Sequence, residues 1–270
     1  MVDAASEFKK SGFSDEDSAT LAGVSAMFQN VADDAISAGD SAGFIIAQLK
    51  AFNLEASDAT HVIDAVNNVS NNFAVSSSDL STNLGKASAA LASGNTSFEE
   101  TLGLMTAITE ITRNGSRSAR GLVSIQSRLN QVVDESSSTG KQLIELYKEQ
   151  NIALFDQNGQ LRDSYDILKD LAAVWPTLTR NQQAEFALAQ AGANQTQNFT
   201  ALMNNFQVAI DATATAMDSA GSAMKENTSY MESLEAQTTQ LKATFQDFAN
   251  NVIDKELVSS ILTLANDALG

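Results

Sequence analysis

Residues 96–115 read TSFEETLGLMTAITEITRNG. Phe98, Leu102, Leu104, Met105, Ile108 and Ile111 recur at helical spacing with little polar relief between them, which predicts a helix surrounded by neighbours rather than one laid on a surface. Thr96 and Glu99 have the spacing of a capping box at its start, and Asn114-Gly115 predicts its end. Helical spacing recurs almost everywhere in the chain, which has one proline, so the class is all-α, a multi-helix bundle with residues 98–111 as the candidate centre of the core.

The same spacing recurs on both sides. Ser14, followed by Asp15, Glu16 and Asp17, reads as an N-cap with acids in the first turn, where exposed amides and the helix dipole favour them. Leu21, Val24, Phe28 and Val31 then share one face. Ile45, Leu49 and Phe52 line a short helix, and Val62, Val66, Val69 and Phe73 line the next behind a cap at Ser57. Asp79 opens a helix carrying Leu80, Leu84, Ala87 and Leu91, and Leu122, Ile125 and Leu129 form a later stripe. One segment interrupts the pattern. Ile152 to Phe155, then Asp156, Gln157, Asn158-Gly159, then Gln160 and Leu161 predict a small turn or β-hairpin near 152–162, since Asn-Gly suits positive φ at the central positions. Helix resumes near Asp163 and stops at Pro176, and Thr179 with Gln182 forms another capping box.

The last part of the chain changes character. Met217, Ala220, Met224, Asn227, Met231, Leu234, Thr238, Leu241, Phe245, Phe248 and Val252 alternate by three and four residues, an a/d heptad seam. This divides the chain into a helical core domain, 1–215, and a long amphipathic, coiled-coil-like helix with the start of a further helix, 216–270. An unbroken helix from Met217 to Val252 would be roughly 50 Å long; Gly221 marks where it would break. Leu257, Ile261, Leu264 and Ala268 continue the helical spacing to the end. Met224, Met231, Leu234, Leu241, Phe245, Phe248 and Val252 are the candidate oligomerisation residues, although such a stripe serves equally to seat a helix on its own domain. Asn227 and Thr238 are polar seam positions of the kind that set register.

Composition excludes several classes of function. The 270 residues hold 33 Asp plus Glu against 16 Lys plus Arg, a net charge of −17 that opposes stable binding to nucleic acid. No positive residue lies between Lys10 and Lys50, where Asp15, Glu16, Asp17, Asp33, Asp34 and Asp40 all fall. Arg113, Arg117, Arg120 and Arg128 gather once, and their expected role is to neutralise neighbouring carboxylates rather than to bind phosphate. There is no cysteine, hence no disulfide, thiolate or cysteine-metal chemistry. No stretch is long and apolar enough for a membrane span. His61, the single histidine, precedes Asp64 by three residues with no serine motif to complete a triad, and Glu99 is accounted for by capping. No cofactor or metal motif is present, and no enzymatic activity is expected.

Several segments in order resemble the conserved amino-proximal core of phage tail tape measure proteins of Gram-positive phages and prophages: ATLAGVSAMFQNVAD (19–33), DAVNNVSNNFAVSSSDL (64–80), ALASGNTSFEETLGLMTAITEI (90–111), DSYDILKDLAAVW (163–175) and SAGSAMKEN (219–227). At 191–199 the chain has AGANQTQNF where many members carry a basic, glycine-containing GKRQGN-like stretch. The resemblance implies a structural protein of the virion tail lumen, assembled in the host cytoplasm as a homo-oligomer, commonly a trimer. Its implied partners are the major tail tube protein, tail assembly chaperones and the distal tail protein. It would set tail length and leave ahead of the DNA at genome ejection. Members run much longer, which makes this chain an expected fragment. A self-assembling secreted or surface protein of the flagellin kind would share the composition, a signalling coiled coil would carry heptads over more of its length, and a tail-associated cell-wall hydrolase would need a catalytic constellation that is not evident.

Overall fold

A computed structural model describes residues 2–251, which form thirteen α-helices and no strand. The first unit, Met1–Met224, opens with α1 (Val2–Lys10), α2 (Asp15–Val31) and α3 (Ala38–Ala51), which pack on one another. Ser14 caps α2 as its sequence predicts, accepting the Asp17 amide at 3.0 Å, and Leu21, Val24, Phe28 and Val31 are all buried. Then come α4 (Ala59–Asn72), α5 (Ser77–Ala92), α6 (Phe98–Thr112), α7 (Gly115–Leu129) and α8 (Ser138–Glu149). The unit is completed by α9 (Ser164–Val174), α10 (Arg180–Ala191), α11 (Thr196–Asn204) and α12 (Phe206–Met217).

Helix α6 is the centre of this unit: every residue from Thr101 to Thr109 is buried, with α5, α7, α11 and α12 packed around it, whereas Ile111, expected in the same core, is 52% exposed in the last turn of the helix. Two of its buried threonines are satisfied, since Thr106 returns its hydroxyl to Leu102 O at 2.9 Å and Thr109 donates to Ser118 Oγ at 3.0 Å, while the Thr101 hydroxyl is buried without a protein partner. The closest approach is to α12. A Cβ on Gly103 would collide with the Thr213 hydroxyl and the carbonyl of Ala209, so only glycine lets these two backbones cross there.

Several helix boundaries differ from their expected places. The box that opens α6 is Ser97 with Glu100, one residue beyond Thr96 and Glu99; both pairs have the right spacing, and Ser97 is the residue whose backbone is extended. Asn114-Gly115 does not end α6. Arg113 closes it in the left-handed region (φ 51°), Asn114 caps α7 by accepting the Arg117 amide, and Gly115 is the first residue of α7. Ser57 is not a cap either: it lies inside a 3-10 turn, Ala56–Asp58, held by a reciprocal Glu55–Asp58 box. Ser76 caps α5, which places Asp79 at its third position rather than at its start.

The interruption near 152–162 reduces to one antiparallel bridge, Phe155 to Leu161, around a turn in which Asp156 Oδ1 accepts the amides of Asn158 and Gln160, both at 2.8 Å. Of the Asn-Gly pair only Gly159 takes positive φ. At the next boundary α9 gives way at Trp175 to a 3-10 turn containing Pro176, and the Thr179–Gln182 box opens α10 as expected.

The final described helix is α13 (Ser222–Asn251). An unbroken helix from Met217 to Val252 is not formed: Met217 ends α12, and residues 218–221 turn, with Gly221 at φ 81°, before α13 starts. Lys225–Gly270 is a second unit by itself. Among the described residues no helix is long and apolar enough to cross a membrane.

Candidate functional site

The start of α13 is tied down by side chains of α4. Asp64, only 3% exposed, accepts the backbone amides of Gly221 (Oδ2) and Ala223 (Oδ1), each at 2.8 Å. Asn67 donates to the Ser222 hydroxyl at 2.9 Å, and Asn68 donates to the carbonyls of Thr215 and Asp218. One carboxylate therefore satisfies two amides that an α-helix leaves without an internal partner, at the end where the dipole favours negative charge. In the sequence Asp64 stands out only as a neighbour of His61; its capping partner lies far along the chain and carries no local signal.

Along α13 the predicted seam residues Met224, Met231, Leu234 and Leu241 are 50%, 52%, 39% and 67% exposed. They follow one another by seven, three and seven residues, which keeps them on one face of the helix. Asn227 and Thr238, the polar seam positions, are half-buried. The side chains of Phe245 and Phe248 and the whole of Val252 lie outside the described residues, as do Leu257, Ile261, Leu264 and Ala268.

His61 does not meet Asp64. Its Nε2 lies 2.7 Å from Glu99 Oε1, and its ring is edge-on to Phe98. Glu99 thus pairs with a histidine on α4, and the capping role belongs to Glu100. Among the described residues no group of three or more His, Cys, Asp or Glu side chains is arranged to hold a metal ion.

The arginine cluster is organised differently from its expected form. Among the described residues the ion pairs are Lys9–Asp15, Lys10–Glu7, His61–Glu99 and Arg162–Asp170, so none of the four clustered arginines meets a carboxylate. They donate to neutral acceptors instead: Arg113 to Ala74 O at 2.7 Å, Arg117 to Gln197 Oε1, Arg120 to Ser116 Oγ at 3.1 Å and Arg128 to Ala189 O at 3.0 Å. Helix-face spacing put them together in sequence, but no acid on a neighbouring helix comes within reach.

Arg120 and Arg128 line a groove of 680 Å³ between α7 and the α10–α11 connection, and Lys86 reaches it from α5. Lys86 was not legible as a member, because its place depends on α5 packing against α7.

Comparison with known proteins gives one family. The sequence model of a family described as phage-related minor tail protein matches residues 1–192. No solved structure matches the chain.

Proposed function

Because the chain belongs to the phage-related minor tail protein family, we propose that it is the amino-proximal part of a tail tape measure protein, a non-enzymatic component whose copies associate through α13. In this reading the virion tail component trimerises along the seam, tail tube subunits and assembly chaperones gather around it in the host cytoplasm, and the helical length downstream sets tube length. Each helical residue contributes ~1.5 Å to such a ruler. The finished protein lies in the tail lumen, contacts the distal tail protein and leaves ahead of the DNA. Its net charge of −17 suits a channel through which a polyanion slides without adhering.

The observation that carries this reading is the exposed row Met224, Met231, Leu234 and Leu241 at heptad spacing. Covering the exposed part of each is worth roughly 1 kcal/mol, so these positions on a trimer supply about 12 kcal/mol. Each of the two associations costs about 4–15 kcal/mol in lost freedom. The described positions alone are therefore marginal, and Phe245, Phe248 and Val252, in the same sequence register, are needed to complete the seam.

Solution mass by light scattering tests it on the whole chain with and without Met231→Asp plus Leu241→Asp. A wild-type trimer that becomes a folded monomer in the double variant is expected. A wild-type monomer at all concentrations, or a double variant that retains the trimer, would remove the assembly role from this helix.

A further inference from the structure

The groove beside α7 combines features that packing of the bundle accounts for only in part: Arg128 holds the last turn of α10 through Ala189 O, whereas Lys86 and Arg120 bond only within their own helices. It gathers three cations, Lys86, Arg120 and Arg128, and none of its lining residues is acidic or aromatic. Lys86 and Arg120 are exposed. Each cation is steadied by one neutral acceptor: Lys86 by Asn83 Oδ1 at 2.6 Å, Arg120 by Ser116 Oγ and Arg128 by Ala189 O. That leaves most of their N–H groups for another partner, since a guanidinium has five and an ammonium three. Arg128 is further positioned by Gly192, where a Cβ would come within 2.8 Å of its Nη2. In a chain of charge −17, three cations line one groove whose lining includes no carboxylate, an arrangement that favours an anionic partner.

We infer that this groove is a docking site for an acidic polypeptide segment of a partner protein. Arg120 and Arg128 stand two turns apart on α7, a separation of roughly 12 Å along the helix axis. Carboxylates two turns apart on a helix, or about four residues apart on an extended segment, match that separation better than one small anion does. Guanidinium groups match carboxylates in a bidentate fork, so the pairing has geometry as well as charge. Between the cations the wall is formed by Val123, Ser124 and Ser127, which suit a peptide's aliphatic and backbone groups. Nucleic acid fits less well: no aromatic side chain offers a stacking surface, and the acidic remainder of the protein repels a long phosphate chain. The groove shares no residue with the α13 stripe, so either site can fail without the other.

The test is fluorescence anisotropy of a fluorescein-labelled decaglutamate peptide titrated with the full chain at about 50 mM salt, where exposed charges are weakly screened. Saturable binding is expected, weakened about tenfold or more by Lys86→Glu plus Arg120→Glu and eased by salt. Lys148→Glu plus Lys169→Glu, the same change of net charge at exposed sites elsewhere, should leave it nearly unchanged. Circular dichroism melts confirm that both double variants remain folded. No binding, equal losses in the two double variants, or displacement by equimolar inorganic phosphate would overturn the inference. So would tighter binding of an oligothymidine through Lys86 and Arg120, which would make the groove a nucleic-acid site. If Lys86→Glu plus Arg120→Glu instead dissociates the protein's own oligomer, the occupant is a second copy and the partner assignment fails.

Discussion

Asp64 shows how one buried side chain links distant parts of the chain. Two amides depend on it, one of them on the fully buried Ala223, and neither has an alternative acceptor within an ordinary helix start. Asp64→Ala is expected to lower stability by roughly 1–3 kcal/mol, the cost of leaving the buried Ala223 amide unpaired and the part-buried Gly221 amide to water, measured as a shift of the urea midpoint. Glu145→Ala, on an exposed face of α8, should change it by less than about 0.5 kcal/mol. Equal effects at the two positions would show that the cap is dispensable. The arginines argue at the same scale. Their spacing from the end of α6 along α7 was readable, but which groups they would meet was not, because a side chain's partner depends on the neighbouring helices.

Among the elements, the crossing of α6 with α12 carries the core. Glycine at 103 costs α6 about 1 kcal/mol in helix propensity, while a methyl group there must push against a backbone carbonyl, a strain of roughly 1–3 kcal/mol. The second effect wins, so Gly103→Ala should destabilise the protein. Gly23 makes the converse case: it is exposed inside α2 with nothing within 4 Å of an added Cβ, and Gly23→Ala should stabilise by about 0.5–1 kcal/mol. Thermal and urea unfolding of the two variants should therefore move in opposite directions, and a shared sign would refute the packing account. Helix α12 itself was hard to anticipate. Its buried face is Phe206, Ala209, Ala212, Thr213 and Ala216, and small residues give a weak apolar period even where they permit the tightest contact. The caps were displaced for a related reason: runs such as Thr96-Ser97 and Ser76-Ser77-Ser78 offer several equivalent capping side chains, and the position at which neighbouring helices admit the first turn selects among them.

For the whole molecule, charge is the dominant long-range feature. Against an excess of 17 negative charges, the described residues form few ion pairs, and those of Lys9 and Lys10 are exposed and contribute little. Self-repulsion should therefore be relieved by salt: the melting temperature is expected to rise by a few degrees, roughly 2–5 °C, between about 10 mM and 0.3 M sodium chloride. A flat or falling Tm would mean that local pairing outweighs the net charge. The same acidity makes the groove at Lys86, Arg120 and Arg128 conspicuous, and it is compatible with membership of a tail protein family without being required by it.

The amino acids by themselves determined the all-α class, the buried centre within residues 98–109, the break at Gly221 and the heptad row of α13, because periodicity, capping chemistry and φ preference act over a few residues. Tertiary structure alone decided that Asp64 would hold the first turn of α13, that Gly103 would admit α12 and that Lys86 would join the arginines of α7. Each of these contacts joins residues far apart in sequence, and which of them meet is set by the packing of whole helices, a property that no local pattern encodes.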